Sequence, residues 1–310
     1  MDRKVSVNIL NYNTFEKSCV CIDSCLKQTG IDFQILLIDN ASTDGSFEKI
    51  KQKYGNKIVY LQTGCNLGYA GGNNKSVEYC YTKGFKYAFL LNSDTELKGI
   101  TLLKELYTVF NKDSNCSVVS PTIFDVTWQG LIKHTNDYSY NKWLRRIRVL
   151  PKLKRITDCI ETVSEAHGSA LMVDCSKFLA VGGFPEHYFM YCEESTFAKN
   201  TIWAGYDILW YQSEDNFILH HHDKTQYIDP WREYLMGRNR ALEYCENKKR
   251  RNSLWRLFFS IFKWKMYLYG KYTHKMDYYI GMKTGISLAN KKCSIKEFYN
   301  HGIMVKNTYI

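Results

Sequence analysis

Near its start the chain carries three apolar segments that each run into a polar string, with helical patterns between them. Val5 to Leu10 leads into Asn11-Tyr12-Asn13, Phe33 to Ile38 into Asp39-Asn40, and Tyr87 to Leu91 into Asn92-Ser93-Asp94. Helical apolar spacing covers Phe15 to Gln28, the stretch around Phe47 to Tyr54, and Gly72 to Lys83; a further strand reads at Ile58 to Gln62. Strands that alternate with helices form a largely parallel sheet covered on both faces. Ligands of such sheets sit beyond the carboxyl ends of the strands. The polar strings occupy those ends. Position alone therefore marks Asn11-Tyr12, Asp39 and Asn92 to Asp94 as candidate ligand groups.

Beyond them, Thr101 to Asn111 reads as a helix and Val118 to Ile123 as a strand, while Trp128 to Arg155 is polar, basic and aromatic and reads as a loop. Glu161 to Val173 is strand-like around Gly168-Ser169, Gly182-Gly183-Phe184-Pro185 is a turn, and Glu193 to Ala204 is helical. Ile208 to Tyr211 and Asn216 to His220 read as strands.

The formal charge of +11 is placed unevenly: residues 1–225 hold 25 Lys+Arg against 25 Asp+Glu, and residues 226–310 hold 17 against 6. This splits the chain into a neutral domain, 1–225, and a basic, aromatic-rich helical region, 226–310. A basic tail meets nucleic acid or an anionic membrane face, or is a solvated surface. With 45% hydrophobic and 24% charged residues the chain is globular rather than disordered. Eleven cysteines lack paired metal spacing, and Met1-Asp2-Arg3-Lys4 leads directly into a strand, so a cytoplasmic protein with reduced thiols is expected.

Each candidate group has two readings. Asp39 accepts the imide N–H of uracil or thymine, or serves a turn. The glycine-rich loop Asn66 to Asn74 lets backbone approach phosphate or ribose at a helix start, or only packs a helix; its spacing is not the dinucleotide fingerprint. Asp94 suits a divalent cation held by one carboxylate and the substrate's own phosphates, or ends a strand. Glu193 and Glu194 are helix-dipole partners or supply a general base, and their mutual repulsion raises the proton affinity of one. Of His220, His221 and His222, neighbours point to opposite faces of a strand, so not all three can face one metal.

Taken in order, these strings resemble the family 2 glycosyltransferases of the GT-A fold, especially the bacterial rhamnosyltransferase-like branch. The resemblance rests on Asn11-Tyr12-Asn13, Asp39 to Ser46, Asn66 to Asn74, Asn92-Ser93-Asp94, Gly182-Gly183-Phe184 with Tyr188 to Tyr191, and Ala204-Gly205-Tyr206. It implies an α/β nucleotide-diphospho-sugar transferase fold with a mostly parallel central sheet flanked by helices. It implies an inverting transfer of rhamnose or another hexose from a UDP- or dTDP-sugar to a glycan or polyprenyl-linked acceptor, with Mg or Mn as cofactor. By position, Glu194 would be the catalytic base, and Asp94 with His220 would hold the metal, His221 being the rival. Asn11, Tyr12, Asp39, Asn66, Gly72, Asn73, Ser93, Asp94 and Arg238 would bind the donor. The family's base position usually reads Glu-Asp with an Asp two residues on; here it reads Glu193-Glu194 and then Thr196.

Within the tail, Lys248-Lys249-Arg250-Arg251 precedes an aromatic, cationic stretch too interrupted by charge to span a membrane. Residues 248–272 fit an interfacial helix at the inner face of the plasma membrane, or a helix packed on the catalytic domain. An inactive nucleotide-sugar-binding scaffold is the alternative function. A nucleic-acid-binding protein is disfavoured by the neutral first 225 residues and the lack of a recognised module.

Overall fold

The computed structural model describes residues 5–134, 154–221, 229–246 and 276–291, with the single positions Ile261, Trp264 and Leu268. The chain divides into two compact units: residues 1–184 with 197–224, and residues 185–196 with 225–310. The short segment 185–196, which the charge split leaves in the N-terminal domain, groups with the C-terminal helices.

The first unit opens as expected, with β1 (Val5–Asn11), α1 (Phe15–Cys25), β2 (Phe33–Asp39), α2 (Ser46–Tyr54), β3 (Val59–Gln62), α3 (Gly68–Thr82) and β4 (Tyr87–Asn92). Strand β1 lies between β2 and β4, parallel to both, and its register sets Asn11 beside Asp39 and Leu10 beside Asn92. Three strand ends thus stand in one row. Val5, Val7 and Ile9 are fully buried on one face of β1; each contributes about 1.5–3 kcal/mol relative to exposure. On the other face Ser6 and Asn8 form a buried polar strip against α3, with Asn8 Nδ2 donating to Ser76 Oγ at 3.0 Å. The glycine-rich string is not a loop: α3 begins at Gly68. Gly71 and Gly72 therefore lie in its first turns, where a Cβ on Gly72 would stand 2.6 Å from Leu10 Cδ1.

Two strands of the large sheet run against the rest. Its strand order is β3-β2-β1-β4-β11-β6-β12-β10-β9, using β6 (Cys116–Ser120), β9 (Arg155–Thr157), β10 (Ile160–Thr162), β11 (Ala170–Asp174) and β12 (Asp207–Tyr211). Strand β11 runs antiparallel to β4 and to β6, and β10 antiparallel to β12 and β9, so the sheet is mixed, these two strands being reversed among seven that share one direction. The helix α4 (Leu102–Val109) precedes β6, and α5 (Cys175–Ala180) follows β11.

A second sheet, absent from the sequence expectations, has the order β5-β13-β7-β8. It comprises β5 (Thr95–Lys98), β7 (Ile123–Thr127), β8 (Gly130–Lys133) and β13 (Phe217–His221). The expected single strand Val118 to Ile123 is two strands in different sheets. Pro121 separates them, since proline cannot donate to a ladder and ends the pairing of β6. The start of the expected loop Trp128 to Arg155 is the β7–β8 hairpin, and residues 135–153 lie outside the described residues.

In the second unit, the segment after Pro185 leads into the first turn of α6 (Glu193–Trp203). Helices α7 (Pro230–Glu246) and α8 (Met276–Lys291) cross closely. A Cβ on Gly237 would sit 2.0 Å from the Tyr278 carbonyl oxygen, and one on Gly281 2.0 Å from that of Tyr234. Only glycine permits two helix backbones to approach so far. Among the described residues no helix is long and apolar enough to cross a membrane. The candidate interfacial stretch 248–272 lies outside the described residues, apart from the three single positions.

Candidate active site

The row of strand ends in the first unit is built around Asn11. Its side chain is fully buried, and Nδ2 donates to Asp39 Oδ1 at 2.9 Å, Ser42 Oγ at 3.0 Å and Ser46 Oγ at 3.3 Å. Its Oδ1 accepts from Thr14 Oγ at 2.9 Å and Ser18 Oγ at 2.8 Å. Asp39 is buried too, and its second oxygen accepts the Ser42 backbone N–H at 3.1 Å. A buried carboxylate is tolerable only with such donors. Thr14 Oγ also lies within hydrogen-bond distance of Ser93 Oγ at 2.9 Å, tying the end of β1 to the turn after β4.

Asn66 and Asn40 brace the start of α3. Asn40 Nδ2 donates to Asn66 Oδ1 and to the Gly68 carbonyl, each at 3.0 Å, and Asn66 Oδ1 accepts the Gly68 N–H at 2.9 Å. Asn73 is buried, and its Nδ2 turns back to the Tyr69 carbonyl at 3.1 Å. Its Oδ1 is a buried acceptor with no partner among the described residues. Tyr12 is half-buried at the end of β1.

Asp94 lies in the two-residue turn where β4 of one sheet gives way to β5 of the other. Strand β13 pairs with β5 and β7 so that His220 is opposite both Thr95 and Asp125. His220 Nδ1 meets Asp125 Oδ1 at 2.9 Å, and Nε2 stands 3.5 Å from Asp94 Oδ1. That Asp94 oxygen is buried and makes no hydrogen bond among the described residues. Burial works against the His220 imidazolium, but the hydrogen bond to Asp125 and the nearby Asp94 carboxylate outweigh it and push its pKa up to about 9. Burial likewise raises Asp94, but His220, with a smaller contribution from Lys17, leaves its pKa below the usual value. His221 points to the other face of β13, where Nε2 meets Glu96 Oε2 at 3.1 Å. His222 lies outside the described residues.

Other histidines surround Asp125. His134 Nε2 contacts its Oδ2, the His134 and His167 rings lie 4.0 Å apart at a tilt of 40°, and His167 meets the His220 ring edge-on at 5.5 Å. Sequence reasoning singled out none of Thr14, Ser18, Asp125, His134 and His167. Asp125 was legible only as a lone acid in an apolar run, and its partner lies ninety-odd residues away. Among the described residues no three His, Cys, Asp or Glu side chains converge as a metal cage of their own.

In the second unit Glu193 is buried and Glu194 half-buried at the start of α6. Burial, then the Glu194 charge, raises the Glu193 pKa well above the usual carboxylate value. Arg238 is fully buried in α7, with Nη2 donating to the Tyr188 carbonyl at 2.6 Å and Nε to Asn239 Oδ1 at 2.9 Å. Thr196 Oγ reaches the Tyr188 hydroxyl at 3.3 Å.

Residues 6–172 match the sequence model of the family described as Glycosyl transferase family 2. The chain belongs to this family. Among curated relatives of this family 2 glycosyltransferase is the low-salt glycan biosynthesis hexosyltransferase Agl10 of Haloferax volcanii. It is 29% identical over 239 residues, 77% of this chain and 74% of the relative. The O-antigen chain rhamnosyltransferase WbaN of Salmonella anatum is 27% identical, covering 64% of this chain and 60% of its own. Among solved structures, GalNAc-T7 with UDP, GalNAc and Mn2+ superposes with a TM-score of 0.57 at 12% identity, over 76% of this chain and 50% of that one. TarS of S. aureus, residues 1–349 with UDP, gives 0.53 at 17% identity over 79% and 66%. At such identities the likeness shows the fold alone, which is GT-A.

Proposed function

We propose that this family 2 enzyme is an inverting, metal-dependent hexosyltransferase. It takes rhamnose or another hexose from a UDP- or dTDP-sugar and delivers it to a hydroxyl of a lipid-linked or surface-polysaccharide glycan. The observation that carries the reading is the meeting of Asp94 with His220 in the same row of strand ends as Asp39 and Asn11. The names of relatives point the same way: a hexosyltransferase, an O-antigen rhamnosyltransferase, and a rhamnosyltransferase of Mycobacterium tuberculosis acting on N-acetylglucosaminyl-diphospho-decaprenol.

The residues fit a divalent cation. Asp94 offers a buried oxygen without a hydrogen bond, and His220 offers Nε2 beside it. Asp125 on Nδ1 supplies the carboxylate that commonly orients a metal-binding imidazole. One carboxylate and one imidazole, with the remaining positions left to the donor's diphosphate and water, suit Mg or Mn. Bound there, the cation would neutralise charge on the departing diphosphate.

The chain's own groups supply the rest. Asp39, steadied by Asn11 and the Ser42 N–H, accepts the imide N–H of the base. Tyr12, Asn66, Gly72, Asn73 and Ser93 complete the donor side. Glu194 takes the proton of the acceptor hydroxyl as its oxygen bonds to the anomeric carbon and the bond to the diphosphate breaks, inverting that centre. Residues 248–272 provide a peripheral contact with anionic lipid.

Two variants test the assignment. Asp94→Ala abolishes calorimetric Mn2+ binding in the presence of UDP. Glu194→Gln lowers kcat by a factor of about 10²–10⁴, the usual share of general-base catalysis, with UDP affinity unchanged. Wild-type transfer rates in both variants would sink the reading.

A further inference from the structure

We infer that Arg238 and Asn239 are positioning residues for the catalytic carboxylate: they clamp Tyr188–Cys192 in a left-handed backbone that sets how α6 presents Glu194. The inference rests on the proposed base role of Glu194.

The backbone entering α6 is unusual. Phe189, Tyr191 and Cys192 have φ of 65°, 72° and 69°. Among the described residues only Asn13 and Ala41 are the other non-glycine positions with positive φ. Side chains disfavour this region by roughly 1–2 kcal/mol per residue. Three such residues in four persist only where the surroundings over-determine them.

The surroundings come from α7. The Tyr188 carbonyl accepts from Arg238 Nη2 at 2.6 Å and Asn239 Nδ2 at 3.0 Å, and the Met190 and Tyr191 carbonyls each accept from Asn239 Nδ2 at 2.7 Å. Arg238 Nε holds Asn239 Oδ1 at 2.9 Å, so the guanidinium orients the amide with its N–H groups toward the three carbonyls. Phe189 packs with Trp231, Tyr234 and Leu235, while Tyr188 and Cys192 pack with Leu242. Both the carbonyls and the side chains of the segment are therefore anchored on one helix.

The clamp is backed and forwarded. A Cβ on Gly285 of α8 would stand 2.3 Å from the Arg238 carbonyl oxygen, so α8 presses on the clamp from behind. In front, the Cys192 carbonyl accepts the Thr196 N–H at 3.4 Å, joining the clamped segment to the first turn of α6. The arrangement is costly for a packing device. A guanidinium is fully buried with Nη1 lacking a partner, and Glu193 Oε2 is buried without one, among the described residues. Alanine or leucine would pack α7 at less desolvation cost. Strain and buried charge concentrated next to a carboxylate pair are a pattern of catalytic sites.

Asn239→Ala, Asn239→Gln and Arg238→Lys in the full chain test this. Expected are a kcat at least tenfold lower, UDP affinity by calorimetry within twofold of wild type, and a displaced acidic limb of the pH–kcat profile. Denaturation midpoints of the same preparations separate folding from positioning; Asn239→Gln, which keeps the amide one methylene further out, covers an alanine variant that does not fold. Cys192→Gly, which accepts positive φ without cost, is expected to recover part of the kcat lost in Asn239→Ala. If Glu194→Gln is inactive while Asn239→Gln and Arg238→Lys keep kcat within twofold, the inference is overturned and the base assignment stands. Wild-type turnover in Glu194→Gln overturns the base assignment itself.

Discussion

Replacing Asn11 with aspartate keeps its shape and both hydroxyl donors to Oδ1, but turns the group facing Asp39 from donor to anion. In the native protein Nδ2 and Asp39 Oδ1 are 2.9 Å apart, and both residues are buried. Two carboxylate charges at that separation repel by ~6 kcal/mol at an effective dielectric of about 20. Protonating one of them at neutral pH costs only ~4 kcal/mol, from an ordinary pKa of about 3.9 at 1.36 kcal/mol per unit. The pair therefore takes up a proton, and the deficit is capped at ~4 kcal/mol near pH 7. A carboxyl whose folded pKa is raised above its unfolded value loses stability as pH rises through that window. The Asn11→Asp deficit should shrink by about 1.4 kcal/mol per unit of acidification and vanish near pH 4. Urea denaturation of variant and wild type at about pH 5, 6 and 7 measures it. A deficit below ~1 kcal/mol at neutral pH, or one that does not change with pH, would refute the view that Asn11 Nδ2 donates to Asp39 Oδ1 in a buried pair.

Two further outcomes follow from the second unit. Burial and the Glu194 charge raise the Glu193 pKa, so folding costs more as pH rises from its unfolded pKa toward its raised folded value; Glu193→Gln is expected to raise the melting temperature at about pH 8 and to change it little near pH 4, and calorimetry showing equal effects at both would contradict this. Gly237→Ala places a Cβ 2.0 Å from a backbone oxygen of α8; the overpacking penalty of about 1–3 kcal/mol exceeds the ~1 kcal/mol gained in helix propensity, and a higher urea midpoint would show that the helices do not cross there.

Much of the first unit was legible in the sequence because its signals are local. The alternation from Val5 to Leu91 announces parallel strands and crossover helices, and turn chemistry marks where each strand stops. That placement singled out Asp39 and Asp94 as candidate ligand groups. The glycine string Gly68 to Gly72 misled because glycine reads as loop, whereas here it lets α3 approach Leu10 from its first turn. Pro121 was visible, but that it moves the chain from one sheet to another was not. Arg238 carried a charge that suggested phosphate; its burial against the Tyr188 carbonyl appears only when α7 is in place.

The strand ends and the types of groups they carry are encoded within windows of a few residues, by apolar period and turn propensity. Which of those groups meet is another matter. Asp94 in the turn before β5, Asp125 in β7 and His220 in β13 meet in a sheet that no local pattern announces, brought together by register across long intervals of sequence. Register is chosen by which face of each strand is buried. That choice sends His220 toward Asp94 and His221 toward Glu96, and it belongs to the packed sheet rather than to any segment of the chain.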